Sequence, residues 1–167
     1  LFKSFCQVLN QCFDYNRELS IDITSTILLP ALGIADKGYD LSDYVWDLLK
    51  RLDFMSRYDI YTEMLTETSL KNVTFIGRMI EANKIIKGSI KRLKNDGSNH
   101  NANPFLKTTR EHPIEVFDLM IKEVKSNIAL AEPFIESISD CRALAQDIGA
   151  FSIIRIVSDE KENTLSE

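Results

Sequence analysis

The chain has 167 residues, of which 44% are apolar and 27% are charged, and its formal net charge is −5. These values are typical of a globular chain that folds as one domain or as two small ones. No run of about 18 apolar residues occurs, which excludes a predicted transmembrane helix.

The first predicted element is a helix over residues 1–13. Its apolar residues recur on one helical face, at Phe2, Phe5, Cys6, Leu9, Cys12 and Phe13. Because the chain lacks an initial methionine and already has helical spacing at its first residues, we expect a segment of a longer protein. The three cysteines lack the paired spacing of a metal site, so we expect Cys6, Cys12 and Cys141 to be buried free thiols.

Two further helices are predicted before residue 53. Residues 21–35 are apolar and contain Pro30, which has no backbone N–H and is expected to kink or divide the segment. Residues 41–52 have one apolar face, formed by Leu41, Val45, Leu48, Leu49 and Leu52. Lys50 and Arg51 lie in the last turn of this helix, where positive charge suits the carbonyl end of the helix dipole.

Short polar side chains indicate where two of these helices begin. Asp40 or Ser42 is expected to cap the helix over residues 41–52, because its side-chain oxygen can accept an otherwise unpaired backbone N–H. Ser56 is expected to cap the next helix in the same way. The apolar face of that helix is formed by Ile60, Tyr61, Met64 and Leu65.

Residues 71–94 predict one long helix. Its inner side is expected to carry Val73, Ile76, Ile80, Ile86, Ile90 and Leu93. Glycine lowers helix stability by about 1 kcal/mol relative to alanine. We therefore expect Gly77 and Gly88 to mark a close helix contact or a bend.

Positive charge is concentrated around this long helix. Residues 71–110 contain nine Lys and Arg against two acidic residues, a net charge of +7, whereas the rest of the chain carries −12. The candidate contact residues for a nucleic acid or an acidic partner are Lys84, Lys87, Lys91, Arg92 and Lys94. The alternative is a solvated helix face that acidic neighbours balance. No aromatic residue lies within residues 84–94, so phosphate contact is favoured over base stacking.

A polar segment, NDGSNHNANP at residues 95–104, separates this helix from the remainder. We expect it to be a flexible loop or linker between an N-terminal helical array, residues 1–94, and the start of a second helical module, residues 105–158. An acidic tail is expected at residues 159–167. In the second module, Pro113 is placed at the first position of a helix, where a missing N–H is tolerated.

Two shorter apolar segments complete the second module. Residues 131–141 predict a short helix with Pro133 in its first turn. Residues 143–157 are apolar around the whole circumference, so we expect a central helix packed on several sides, with Phe151 and Ile154 as candidates for a partner-docking face. No strand alternation of useful length is found. The fold class is therefore all-α, an irregular stack of antiparallel helical hairpins.

No catalytic signature is present: the sequence lacks a P-loop, HExxH, CxxC, GxSxG and a Rossmann fingerprint. His112, before Pro113, is interpreted as a helix-start residue rather than a base, and His100 lies in the polar segment. The carboxylate pairs Asp43 with Asp47 and Glu63 with Glu67 could bind a cation, but a solvated face is the commoner role of such pairs. We expect no enzyme activity, no metal and no cofactor.

Two long stretches resemble a known family. Residues 28–64 read LLPALGIADKGYDLSDYVWDLLKRLDFMSRYDIYTEM, and residues 111–157 read EHPIEVFDLMIKEVKSNIALAEPFIESISDCRALAQDIGAFSIIRIV. Both resemble the THO subunit 2 family, the large scaffold subunit of the THO complex, which has an LLPALSL segment, a VW-x-LLK helix and an RYRLY-like helix. Residues 95–104, which are Asn-rich, and residues 142–147 depart from the family pattern.

The resemblance implies a nuclear, non-enzymatic scaffold in the THO/TREX complex. Such a scaffold supports transcription elongation, co-transcriptional mRNA processing and packaging, and nuclear mRNA export. The implied partners are other THO subunits and a DEAD-box RNA helicase, with direct binding of RNA or an RNA–DNA hybrid through residues 71–94 as the alternative function. The second module resembles the start of the middle domain of translation-initiation scaffolds, a HEAT-like stack that helps to dock the helicase. No membrane and no small-molecule substrate are implied.

Overall fold

A computed structural model describes residues 1–35, 41–68, 71–96 and 102–165. These residues contain helices and no strand, so the all-α prediction is confirmed, while the HEAT-like arrangement stays a prediction. The first α-helices are α1 (Phe2–Cys12), α2 (Arg17–Ile23), α3 (Leu29–Ile34), α4 (Ser42–Leu49) and α5 (Phe54–Glu63). The later ones are α6 (Val73–Asp96), α7 (Ala102–Glu111), α8 (Pro113–Ser126), α9 (Ala131–Ile138) and α10 (Ala143–Leu165).

Three short helical turns of other types join these elements. Thr24–Leu28 and Met64–Thr68 are π-helical, and Ile128–Leu130 is a 3₁₀ turn. Among the described residues, no helix combines the length and the apolar character that crossing a membrane requires.

The residues form two compact units, one of residues 1–80 with 142–144, the other of residues 81–141 with 145–167. The sequence placed the boundary at residues 95–104 instead. Of that segment, residues 95–96 end α6 and residues 102–104 begin α7, whereas residues 97–101 lie outside the described residues. Ile90 and Phe105, on either side of the segment, belong to one hydrophobic cluster. A linker within residues 95–104 therefore stays a prediction.

In the first unit, α1 packs against α4. The face predicted for α4 is buried at Val45, Leu48 and Leu49. Arg51 was expected to complement the dipole of its own helix, but its guanidinium reaches α1. It donates to the backbone oxygen of Asn10 over 2.6 Å and lies 4.6 Å from the ring centroid of Phe13. Arg51 therefore satisfies a carbonyl at the C-terminal end of α1.

Pro30 has the expected effect on the helix that contains it. The π-helical turn Thr24–Leu28 lies just before it, and the N–H of Leu29 donates to the oxygen of Thr24, five residues earlier. A widened turn is one of the ways in which a helix absorbs a missing backbone donor. The predicted interruption at Pro30 is confirmed, in the form of a π-helical turn.

The structure bears on two of the predicted helix caps. Ser42 is the first residue of α4 and does not precede it, and Leu41 before it offers no side-chain cap; Asp40, the alternative cap, lies outside the described residues and stays a prediction. Asp53, not Ser56, caps α5: its Oδ1 accepts from the N–H of Ser56 over 2.9 Å. The Ser56 hydroxyl donates to Asp53 Oδ2 over 2.7 Å. The Ser56 prediction was wrong because the helix begins at Phe54, where a carboxylate precedes its first turn.

The second unit is built around aromatic residues of α7, α8 and α9. Phe105 is fully buried, and the rings of Phe117 and Phe134 meet edge to face with centroids 5.8 Å apart. Pro113 opens α8 and Pro133 lies in the first turn of α9, as predicted. His112 immediately precedes α8 and is buried, which agrees with its interpretation as a helix-start residue.

Two predictions about helix faces were wrong, and one about two glycines was wrong in part. Val73 and Ile80, expected on the inner side of α6, are 83% and 51% exposed. A Cβ on Gly77 would meet nothing within 4 Å and one on Gly88 only the Arg92 side chain, so neither glycine marks a close helix contact, while a bend at these positions stays a prediction. Helix α10 is not covered all round: Phe151 is fully buried, but an outer face is open. Its half-exposed residues are Ile153, Ile154 and Val157.

Candidate interaction surfaces

The predicted basic residues all lie in the part of α6 that belongs to the second unit, and all five are exposed. Lys84, Lys87 and Lys91 follow the spacing i, i+3, i+7, which places them on one helical face. Among the described side chains, none forms an ion pair or hydrogen bond with these three lysines. We call this set the basic strip.

Arg92 and Lys94 differ from the basic strip in having protein partners. Arg92 donates to the hydroxyl of Ser89 over 3.1 Å, and Lys94 Nζ lies 2.6 Å from a carboxylate oxygen of Glu123. The idea of a face balanced by acidic neighbours therefore fits Lys94. It does not fit Lys84, Lys87 or Lys91 within the part of the chain that the structure describes.

An apolar groove lies on another side of the second unit, with a volume of about 290 Å³. Helices α8, α9 and α10 form it. Its lining residues are Phe117, Ile121, Val124, Lys125, Ala131, Phe134, Ile135, Ile138 and Ile153. Only Lys125 among them is charged, and Ile135 and Ile153 are 64% and 52% exposed. The groove therefore exposes aliphatic side chains to solvent, and its lining also includes two aromatic residues.

Helical spacing and one glycine explain why the groove forms. Phe117, Ile121 and Val124 recur at i, i+4 and i+7 along α8, and α9 contributes Phe134 and Ile138 at the same spacing. A Cβ at position 149 would approach the ring of Phe117 to 2.8 Å. Gly149 of α10 thus leaves room for the ring that α8 contributes.

A group of buried charges between α8 and α10 was not predicted from the sequence. The guanidinium of Arg155 pairs with the carboxylate of Asp118, and both side chains are mostly buried. Burial, with a smaller contribution from the charge of Asp118, raises the pKa of Glu115 to about 7. One oxygen of Glu115 is buried without a hydrogen-bond partner. Glu115 and Asp118, two acids at i, i+3 among the otherwise apolar residues 113–121, were the sequence signal.

Three of the four carboxylates considered as cation ligands have cationic neighbours of their own. Asp43 pairs with Arg142, and Asp47 lies 2.6 Å from Lys50. Glu67 lies 3.0 Å from Lys71. Within the described ranges, no group of three or more His, Cys, Asp or Glu side chains is placed to hold a metal ion. His100 lies outside those ranges.

Two of the three cysteines are buried, as predicted, and one is not. Burial raises the pKa of Cys6 to about 11 and that of Cys141 to about 11. Cys12 is exposed, which corrects the prediction for that residue. The difference follows from helix geometry, because Cys12 is the last residue of α1 and Cys6 faces the core.

These features define a class of protein: amphipathic α-helices packed into compact units, with an apolar groove and a basic strip on the surface. Comparison with known proteins gives the family. The family model described as THO complex subunit 2 N-terminus matches residues 2–103, more than half of the chain. The chain belongs to the THO complex subunit 2 family, which confirms the resemblance seen in its sequence.

Curated relatives agree with this assignment. The chain is 24% identical over 143 residues to THO complex subunit 2 of Homo sapiens, and equally so to that of Mus musculus and of Rhinolophus ferrumequinum. Each match covers 85% of this chain and 9% of the relative. The chain thus spans less than a tenth of the length of the curated relatives that it matches.

Proposed function

We propose that this chain is a non-enzymatic scaffold segment of a nuclear THO complex. Its work is to hold other THO subunits along a helical surface, and so to support mRNA packaging and nuclear export. Membership of the THO complex subunit 2 family supports this proposal. The further role, docking a DEAD-box RNA helicase, rests on the resemblance of residues 111–157 to the start of a middle-domain helical stack.

The apolar groove of the second unit is the observation that carries the proposal. Fully burying an aliphatic side chain stabilises a complex by roughly 1.5–3 kcal/mol. Ile135 and Ile153 are two large aliphatic residues on the same groove, each more than half exposed. A groove of this shape fits the apolar face of an amphipathic helix from a partner protein, which is a common mode of helical recognition.

The docking test uses Ile153→Asp, because Ile153 is exposed and a charge there leaves the core intact. Pull-down with each purified THO subunit and with the helicase measures binding. We expect about tenfold weaker binding or more to the partner that occupies the groove, since an aliphatic contact is replaced by a desolvated charge. Phe151 is unsuitable for this test because it is fully buried and a charge there would disrupt folding.

Ile80→Asp is the matched control. Ile80 is 51% exposed, against 52% for Ile153, and it does not line the groove. Circular dichroism and thermal unfolding establish that both variants fold. If Ile153→Asp is folded and binds every subunit and the helicase as well as Ile80→Asp does, the groove is not the docking surface.

A further inference from the structure

The basic strip is not used by the docking proposal and has a different chemistry. Residues 82–94 contain five Lys and Arg and no acidic residue, within a chain whose net charge is −5. Like charges close together on one helix destabilise it by a few tenths of a kcal/mol per pair. Glu81 precedes the strip by three residues, but no described side chain forms an ion pair or hydrogen bond with Lys84, Lys87 or Lys91. An external anion is the partner that would offset this cost.

The surface around the basic strip distinguishes between two kinds of anionic partner. Protein interfaces have apolar or aromatic anchors at their centre and are depleted in lysine. The middle residue of the strip is Lys87, and all three strip residues are lysines, with no aromatic residue within residues 84–94. Contacts to nucleic-acid phosphates require no apolar anchor and are made by Lys and Arg. The composition therefore favours a nucleic acid over an acidic protein.

The length of the strip fits a run of phosphates. Lys84 and Lys91 are seven residues apart, which corresponds to about 10 Å along the axis of an α-helix. Phosphates along one strand of a duplex follow one another at about 3.4 Å along the duplex axis. The strip can therefore face about three consecutive phosphates. No aromatic side chain lies within residues 84–94 to stack on a base, so the contact carries no sequence information.

We propose that Lys84, Lys87 and Lys91 bind the phosphate backbone of a nucleic acid without reading its sequence. Three lysine–phosphate contacts determine how strongly binding should depend on salt. Affinity should fall about 40-fold for a duplex, and about 20-fold for a single strand, when the salt concentration rises from 50 to 200 mM. Arg92 and Lys94 contribute less, because Lys94 is paired with Glu123 and Arg92 with Ser89.

The test measures binding of the 167-residue chain to three fluorescent probes: a mixed-sequence single-stranded RNA, an RNA–DNA hybrid duplex of the same sequence, and polyglutamate of similar charge. The triple variant Lys84→Gln, Lys87→Gln, Lys91→Gln should bind both nucleic acids at least about tenfold more weakly at 50 mM salt. It should also lose most of the salt dependence. A further single-stranded RNA of the same length and a different sequence should bind with the same affinity as the first.

A matched control removes the same charge elsewhere in the second unit, through Lys107→Gln, Lys122→Gln and Lys125→Gln. These lysines are not on α6, so this variant should keep most of the affinity. Circular dichroism confirms that both variants are folded. The proposal is overturned by equal weakening in the two variants, by no binding of the unmodified chain at 50 mM salt, or by tighter binding of polyglutamate than of RNA.

Discussion

The aromatic ring of Phe117 occupies the space that a side chain at Gly149 would need. A Cβ at position 149 would lie 2.8 Å from two ring carbons, closer than real Cβ contacts come. Because Phe117 also packs edge to face on Phe134, the ring has little freedom to move away. The second unit therefore depends on a glycine in the middle of α10.

Gly149→Ala should destabilise the second unit by about 1–3 kcal/mol, because it overpacks the contact with Phe117. Chemical denaturation measures the change. Gly77→Ala is the control: nothing lies within 4 Å of its Cβ position, and helix propensity predicts a gain of up to about 1 kcal/mol. Equal stabilisation by both substitutions would show that the ring can move.

Arg51→Met should cost about 1–3 kcal/mol, since the guanidinium holds a backbone carbonyl at the end of α1. Arg51 also donates to Asn10 Oδ1 over 3.0 Å and to Asp14 over 2.5 Å, so its removal leaves three oxygen acceptors without this donor. Lys50→Met is the comparison, because Lys50 forms only an exposed i, i+3 pair with Asp47 and should change stability by about 0.5 kcal/mol or less. Urea denaturation distinguishes the two outcomes.

Asp53→Ala should lower stability by about 1 kcal/mol through loss of the cap on α5, whereas Asp53→Asn should retain most of the cap. Hydrogen bonds from Ser56 lower the pKa of Asp53. The folded state therefore favours the charged carboxylate, and this stabilisation is lost as pH falls through the lowered pKa. Thermal unfolding at acidic pH should show that loss in the unmodified chain and not in Asp53→Asn.

Glu115 should make stability depend on pH in the opposite direction. Burial raises its pKa from 4.5 to about 7, so the folded state retains a proton that the unfolded state releases. The contribution of Glu115 to the free energy of unfolding should be highest below pH 4.5, fall as pH rises towards about 7, and then level off. Glu115→Gln should remove this dependence and stabilise the chain at pH 8 by roughly 1–3 kcal/mol.

Glu136→Gln provides the control for that measurement, because Glu136 is an exposed residue of α9. It should shift stability by about 0.5 kcal/mol or less at every pH. A pH profile of Glu115→Gln that matches the profile of the unmodified chain would show that Glu115 ionises freely in the folded state.

Several features that depend only on neighbouring residues in the sequence were predicted correctly. Pro113 at a helix start and Pro30 in a disturbed helix follow from the missing N–H of proline. The fold class follows from helical spacing in the same way. Asp53 shows the limit of this approach: Ser56 was predicted as the cap of α5, and the true cap can be identified only when the first helical residue is known.

Contacts between distant residues were not predictable from spacing. Gly88 and Gly149 look alike in the sequence, but only Gly149 faces an aromatic ring, and that ring comes from another helix. Phe151 and Ile153 lie two residues apart in an apolar run, yet the core covers one and leaves the other open. The basic strip was found from sequence because charge density is a local property, whereas the apolar groove requires three helices.

The three cysteine thiols differ in their accessibility to reagents. Cys12 is exposed, whereas Cys6 and Cys141 are buried and have a pKa of about 11. A thiolate is the species that reacts with maleimides, so modification at neutral pH should stop at one dye per chain. That dye is attached at the end of α1, which is distant in sequence from the residues of the groove and the basic strip. Binding of a partner protein or a nucleic acid can therefore be followed by fluorescence without any substitution.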